Sequence, residues 1–324
     1  VWWPGERERQ SSNLAWLLED LGLDSYTVLH RWSVDNREEL WTAVIERLGI
    51  VFERRPTRTL DPSAGVEEPR WLPGAELNIV NSCLGASADA PAILHASEAD
   101  SRPRVVTYGE LEQRVLQVAN GLHRRGFRPD EGIVLYMPMT VDCVAAYLGI
   151  LHAGCRVVSV ADSFSAMELQ RRMEIGDSST VITLARYPWA GRQIDLYAKV
   201  RQAFDGLDHD ARAIVIPDEG GGIPELAGRD ILWSDFVGEG SPIPPVGGPP
   251  ERVTNVLFSS GTTGTPKAIP WTHLTPIKCA MDAHFHQDVH PGDILAWPTN
   301  IGWMMGPWLI YAATMNRATM ALFQ

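Results

Sequence analysis

Apolar side chains recur every third or fourth position between Arg37 and Leu48, at Leu40, Trp41, Val44, Ile45 and Leu48. That spacing predicts an amphipathic helix, with Asp35 and Asn36 as its caps. A second helix is predicted from Asn13 to Leu21. Between Arg54 and Pro73 the pattern lapses, and Pro56, Pro62, Pro69 and Pro73 mark a loop. The clearest start signal lies further on. Thr107-Tyr108-Gly109-Glu110 spells a capping box, Leu111, Val115, Val118, Ala119 and Leu122 share one helical face, and Gly126 supplies the stop. From Val105 onward, strands and helices alternate. Ile133 to Met137, Arg156 to Val160, Val181 to Leu184 and Ala213 to Ile216 read as buried strands. Val141 to His152, Glu168 to Ile175 and Leu196 to Phe204 read as the helices between them, the first stopped by Gly154. Such alternation predicts an α/β fold of mostly parallel sheets covered by helices.

The pattern also divides the chain. Residues 1–75 form an N-terminal helical extension and 76–241 a first α/β subdomain. Residues 242–252 contain the run Pro242-Ile243-Pro244-Pro245-Val246-Gly247-Gly248-Pro249-Pro250, a stiff connector. Residues 253–324 open a second α/β subdomain, with a strand predicted from Ile294 to Trp297. A length of 324 residues is ample for a full core. The net charge of -12 argues against nucleic acid or an anionic membrane as the main partner, so any phosphate site must be a local positive pocket. Cys83, Cys143, Cys155 and Cys279 have no C-x-x-C spacing, which points away from a disulfide framework or a cysteine zinc site and towards a reducing intracellular compartment. No run of eighteen apolar residues occurs, and Val1-Trp2-Trp3-Pro4 followed by charges does not resemble a signal peptide.

The chemistry concentrates in Val256-Leu257-Phe258-Ser259-Ser260-Gly261-Thr262-Thr263-Gly264-Thr265-Pro266-Lys267. Two glycines, several hydroxyls and a lysine directly follow an apolar strand. Small residues let the backbone approach phosphate oxygens, amides and hydroxyls donate to them, and the lysine brings a compact cation. The spacing is not that of a Walker A loop, which disfavours a phosphotransferase built on this segment. Pro266 also argues against a helix beginning at the loop, so no helix dipole would face the phosphates.

This segment resembles the signature of the adenylate-forming superfamily of acyl-CoA synthetases, luciferases and peptide-synthetase adenylation domains. That signature runs Tyr-Thr-Ser-Gly-Thr-Thr-Gly-x-Pro-Lys-Gly, and Ala268 stands at its last glycine. Two further stretches, Ser33 to Trp41 and Trp71 to Asn78, resemble the opening region of acetyl-CoA synthetases, and the overall shape is closest to plant acyl-activating enzymes assigned to peroxisomes. The resemblance implies the large N-terminal domain of such an enzyme and a two-step reaction. A carboxylic acid is activated with ATP to an acyl-adenylate, and coenzyme A then displaces AMP. On this reading Ser259, Ser260, Gly261, Thr262, Thr263, Gly264 and Thr265 hold the β- and γ-phosphates, and Lys267 stabilises the loop or a phosphate. The alternative for Lys267 is a solvated surface lysine. Magnesium is expected with ATP, although the sequence shows no recognisable magnesium site.

Asn300-Ile301-Gly302-Trp303-Met304-Met305-Gly306 resembles the Asp-Val-Gly-Trp-x-x-Gly stretch of acetyl-CoA synthetases. The resemblance places Trp303, Met304 and Met305 against the acid, and core packing is the other reading of the methionines. Arg192 resembles one arginine of a pair that takes coenzyme A phosphates, while Trp189 replaces the other and Asp162-Ser163 replaces a Gly-Gly beside the pantetheine. The alternative for Arg192 is an ordinary exposed arginine. His273 either approaches the phosphates or the acid, or is structural. His284, His286 and His290 invite a metal, but the first two are two positions apart and diverge on a helix, which argues against zinc.

The superfamily's adenine segment, ribose aspartate, hinge and C-terminal lysine have no counterpart before Gln324, and Ala321 to Gln324 reads as an apolar strand with no partner following it. The expectation is therefore a truncated piece, inactive by itself, of an enzyme whose targeting signal would lie at the true C-terminus. The departures at Ala268, Trp189 and Asp162 keep a second reading open, that of a catalytically inactive nucleotide-binding relative.

Overall fold

The computed structural model describes residues 3–65, 67–98, 100, 102–218, 222, 224–259 and 264–324. The N-terminal part carries helices α1 (Glu6–Ser11), α2 (Asn13–Asp20), α3 (Tyr26–Asp35) and α4 (Arg37–Leu48), then the short pair β1 (Leu60–Asp61) and β2 (Arg70–Trp71), and α5 (Val80–Cys83). α2 and α4 lie where the apolar spacing puts them; α1 and α3 do not announce themselves. α3 buries Leu29 while Tyr26, Val28 and Val34 stay exposed, so it has no apolar stripe to read. The expected caps of α4 also behave differently. Asp35 is the last residue of α3, and the Asn36 side chain donates to the Trp32 carbonyl (2.9 Å), closing α3 rather than opening α4.

The α/β part continues with β3 (Pro91–Ala96), β4 (Arg104–Thr107), α6 (Tyr108–Arg124), β5 (Gly132–Tyr136), α7 (Val141–His152), β6 (Arg156–Val160), α8 (Ala166–Ile175) and β7 (Thr180–Leu184). Then come β8 (Arg186–Trp189), β9 (Arg192–Asp195), α9 (Leu196–Phe204), β10 (Arg212–Ile216), β11 (Ile231–Leu232) and α10 (Trp233–Phe236). Beyond the connector lie β12 (Val253–Ser259), β13 (Lys267–Thr272), α11 (Leu274–His286), β14 (Ile294–Ala296), α12 (Met305–Thr314) and β15 (Thr319–Phe323). The capping box forms as written: Thr107 Oγ1 accepts from the Glu110 amide (3.2 Å) and Glu110 Oε2 accepts from the Thr107 amide (2.8 Å).

The main sheet runs β11-β10-β7-β5-β6-β12-β13, parallel except for the antiparallel edge strand β13. Its central strands are buried on both faces, which is why they read as unbroken apolar runs. β12 comes after the connector in sequence yet pairs with β6, Asn255 opposite Val157 and Val256 opposite Val158. The connector is tied down on the way: the Val246 amide donates to the His152 carbonyl (2.9 Å), and Leu77 and Gly248 exchange backbone bonds (3.0 and 3.1 Å). A second sheet runs β14-β15-β3-β4. β15, expected to have no partner following it, lies parallel to and between two strands that precede it, β14 and β3, with Met320 opposite both Leu295 and Ile93. One of these partners lies more than two hundred residues upstream.

Candidate functional site

Parallel strands deliver their loops to one edge, and ligands of open α/β sheets bind outside the carboxyl ends of the strands. Here the ends of β6 and β12 lie side by side at that edge. β12 leads into the hydroxyl-rich loop, and β13 returns from it with Ser259 opposite Lys267 and Phe258 opposite Ala268. The loop thus joins a hairpin and leads into strand β13 rather than directly into a helix, as the proline suggested. Ser260, Gly261, Thr262 and Thr263 lie outside the described residues. Gly264 adopts a left-handed conformation (φ +81°), and Gly264, Thr265 and Lys267 are exposed. Gly264, Thr265 and Pro266 face Arg171, Glu174 and Ile175 of α8 across a groove of ≈ 380 Å³.

Beneath the hairpin stem sits a cation that the sequence reading passed over. Arg172 is 4% exposed; its guanidinium lies over the ring of Phe164 (4.1 Å) and near that of Phe258 (5.4 Å), and it donates to Glu168 Oε2 (2.5 Å). The hydrogen bond from Arg172 holds the Glu168 carboxyl below its usual range. An arginine on the buried stripe Leu169, Arg172, Met173 of α8 was the available signal.

The second motif approaches the same edge. Gly302 packs on the end of β6 so closely that a Cβ there would fall 2.1 Å from the Ala161 nitrogen. Trp303 meets Phe164 edge to face (5.9 Å), and Phe164 is held by Tyr136, whose hydroxyl donates to its carbonyl (2.6 Å). Trp303 and Met304 are 52% and 59% exposed, so simple core packing does not describe them, while Met305 is half-buried at the start of α12. Phe164 therefore touches Trp303 on one side and Arg172 on the other, joining the second motif to the stem of the hairpin.

Arg192 lies on β9 opposite Trp189 of β8, across a two-residue turn whose Ala190 (φ +50°) and Gly191 (φ +72°) both adopt positive φ. Arg192 and Trp189 are exposed, and the Ala190 amide donates to Glu98 Oε1 (2.8 Å). Asp162, which the resemblance sets at a glycine position, turns its carboxylate inward: Oδ2 accepts from the Tyr187 hydroxyl (2.5 Å) and Oδ1 from Asn300 Nδ2. The carboxylate is thus an internal tie rather than a charge on the surface.

His273 and His284 are buried and tied into the structure. His273 is 2% exposed, its Nδ1 accepts from the Ile79 amide (3.4 Å), and burial pushes its pKa down to about 4. It faces the core rather than the phosphates. Asn316 donates to the Ala280 and Ala312 carbonyls (3.0 and 2.9 Å), so its Oδ1 accepts from His284 Nδ1 (2.8 Å), and Arg47 Nε donates to His284 Nε2 (3.3 Å). Among the described residues no helix is long and apolar enough to cross a membrane.

Comparison with known proteins places the chain among relatives of similar sequence and fold. Residues 83–324 match the family of AMP-binding enzymes, and residues 26–83 match the acetyl-coenzyme A synthetase N-terminus. The chain is 38% identical to probable acyl-activating enzyme 18, peroxisomal, of Arabidopsis thaliana, over 99% of this chain and 47% of that protein. It is 36% identical to hexanoyl-CoA synthase of Cannabis sativa, over 100% of this chain and 48% of that protein. Among solved structures, acetoacetyl-CoA synthetase from Streptomyces lividans superposes with a TM-score of 0.90 at 28% identity, covering 100% of this chain and 51% of that one. The chain spans about half the length of the curated relatives it matches.

Proposed function

Since the chain belongs to the family of AMP-binding enzymes, we propose that the protein is an AMP-forming acid–thiol ligase, an acyl-CoA synthetase. The carboxylate oxygen of an organic acid attacks the α-phosphorus of ATP and the bond to pyrophosphate breaks. The thiol of coenzyme A then attacks the acyl carbon, loses its proton and expels AMP. The observation that carries this reading is the position of the Ser259–Lys267 hairpin at the carboxyl end of β12, beside the end of β6. Phosphoryl chemistry of this kind asks the protein mainly for positioning and for neutralisation of charge on the leaving group. Backbone amides and hydroxyls of Ser259 to Thr265 would surround the β- and γ-phosphates, and Lys267 would offset charge as pyrophosphate departs. Among the described residues no three His, Cys, Asp or Glu side chains gather to hold a metal ion, so magnesium enters this reading as the counter-ion of ATP.

Trp303, Met304 and Met305 would form one wall of the acid pocket, two thioethers giving it a surface that adapts to chain shape. Arg192, exposed on its hairpin, would meet a phosphate of coenzyme A, with Trp189 opposite it offering a flat apolar face where the family has a second arginine. The 324 residues by themselves would bind ATP weakly without completing thioester formation, because they span about half of the related enzymes. The name of the Arabidopsis relative supports a peroxisomal location, to be checked by microscopy of the full-length protein.

The test is acid-dependent exchange of labelled pyrophosphate into ATP by the full-length protein, over a panel from acetate to hexanoate. Exchange with at least one acid is the expected result. ATP binding without exchange for any acid would instead identify a nucleotide-binding relative that has lost catalysis, the reading that the departures at Asp162, Trp189 and Ala268 favour.

A further inference from the structure

The residues around Asp162 form a cluster that the reaction above leaves unused. We infer that Asp162 is a positioning residue for the acid side of the site: its buried carboxylate clamps the turn Asn300–Met305 to the ends of β6 and β8, and so governs which acids the pocket accepts. This rests on the acyl-CoA synthetase reading.

Four observations on separate elements converge. Asp162 is 7% exposed, immediately past β6, and a carboxylate only accepts hydrogen bonds, so it needs donors. Tyr187 of β8 supplies one at 2.5 Å and Asn300 supplies the other. The orientation of the Asn300 amide is fixed by its own partner: Oδ1 accepts from the Gly302 amide (2.9 Å), which leaves Nδ2 to face Asp162. Lys199 of α9 donates to the Asp162 carbonyl (3.3 Å), tying a third element to the same residue.

The turn that follows has little freedom left. Gly302 lies against Ala161 with no room for a Cβ, the Trp303 amide donates to the Asn300 carbonyl (3.1 Å), and the Gly306 amide to the Trp303 carbonyl (2.9 Å). Asp162 holds one end of the turn through Asn300, and Phe164 holds the other through the Trp303 ring. Met304 and Met305 are therefore flexible side chains presented on a fixed base. Without the carboxylate, Asn300 loses the partner that orients it, and the wall that carries the methionines shifts. Because β8 also leads to Trp189 and Arg192, the same carboxylate ties the acid wall to the base of the hairpin proposed for coenzyme A.

The experiment uses the full-length protein and two readouts. In the first, hydrogen exchange at the Gly302 and Trp303 amides is compared between wild type, Asp162→Ala and Asp162→Asn. Faster exchange confined to this turn in Asp162→Ala is expected. Asp162→Asn should remain close to wild type, since its amide oxygen accepts from Asn300 and its amide N–H can donate to the Tyr187 oxygen. In the second, pyrophosphate exchange gives KM for acid and for ATP separately. Asp162→Ala should raise KM for the acid roughly tenfold, as expected for losing a hydrogen bond to a charged group, and widen the range of acids accepted, while KM for ATP changes less than about twofold. Tyr187→Phe removes a single hydroxyl and should fall between the two, and it serves if Asp162→Ala does not fold. Unchanged amide exchange in the turn overturns the inference, as do parallel shifts in both KM values or an Asp162→Asn variant as impaired as Asp162→Ala. If wild type shows no acid-dependent exchange, the reaction proposed above fails while the amide measurement still decides the clamp.

Discussion

Two pieces of chain meet at the same sheet edge and are held in opposite ways. The hairpin from β12 to β13 is anchored at its stem by backbone pairing, with Phe258 opposite Ala268 and Ser259 opposite Lys267, and it presents Lys267, Ala268, Ile269 and Pro270 outward on an edge strand. The turn Asn300–Met305 has no ladder. It is held by side chains and by close contact: Asp162 on Asn300, Ala161 against Gly302, Phe164 on the Trp303 ring. The contrast suits the proposed division of labour. A phosphate chain is recognised by many equivalent amides and hydroxyls, whereas an acid is selected by the shape of a wall, and a wall must stay where it is.

The largest expected effect falls on the hairpin. Lys267→Ala in the full-length protein should slow pyrophosphate exchange by more than a hundredfold, about 3 kcal/mol of transition-state stabilisation, with little change in melting temperature because the side chain is exposed. An unaltered rate would return Lys267 to the solvated surface. The turn should respond in the opposite sense. Gly302→Ala forces a Cβ to 2.1 Å from the Ala161 backbone nitrogen and should cost about 3 kcal/mol of stability, visible as a lower urea midpoint. A midpoint equal to wild type would mean that the turn is less tightly seated than its contacts imply.

Acid should act behind the hairpin, where His273 follows β13. Its folded pKa, lowered by burial to about 4, lies below the ordinary histidine value of 6.5, so the unfolded chain binds more protons between those values. The contribution is complete above about pH 6.5 and is lost as pH falls towards 4, reaching on the order of 2 kcal/mol by about pH 5. His273→Gln should flatten the fall in stability between pH 7 and pH 5 in denaturant titrations; an unchanged slope would shift the cause to other groups. The smallest effect is a control remote from both regions. Thr107→Ala removes one half of the capping box and should cost about 1 kcal/mol of stability without altering KM for ATP or acid. A selective change in either constant would show that α6 communicates with the site.

Local signals carried much of the fold. α4, α7, β6 and α9 occupy the spans that apolar spacing, caps and stops indicated, because each depends on side chains within a few positions of its ends. α3 escaped because it is exposed along most of its length. The ordered run of small and hydroxyl residues ending in Lys267 was equally plain, since glycines, hydroxyls and a lysine after a strand suit phosphate whatever lies around them. Placement was another matter. β3 pairs with β15 across more than two hundred residues, Ile93 opposite Met320, and β12 enters the main sheet from beyond a proline-rich connector. Asp162 finds its partners 25 and 138 positions away, and its sequence neighbours gave no hint that its carboxylate points inward. What the residues determine alone is which segments become helix or strand and which loop has phosphate chemistry, because those follow from short-range sterics and hydrogen bonding. Which strand lies beside which, and which polar side chain is buried as a tie rather than left in water, was decided only when the chain closed on itself, since those contacts join residues that nothing local brings together.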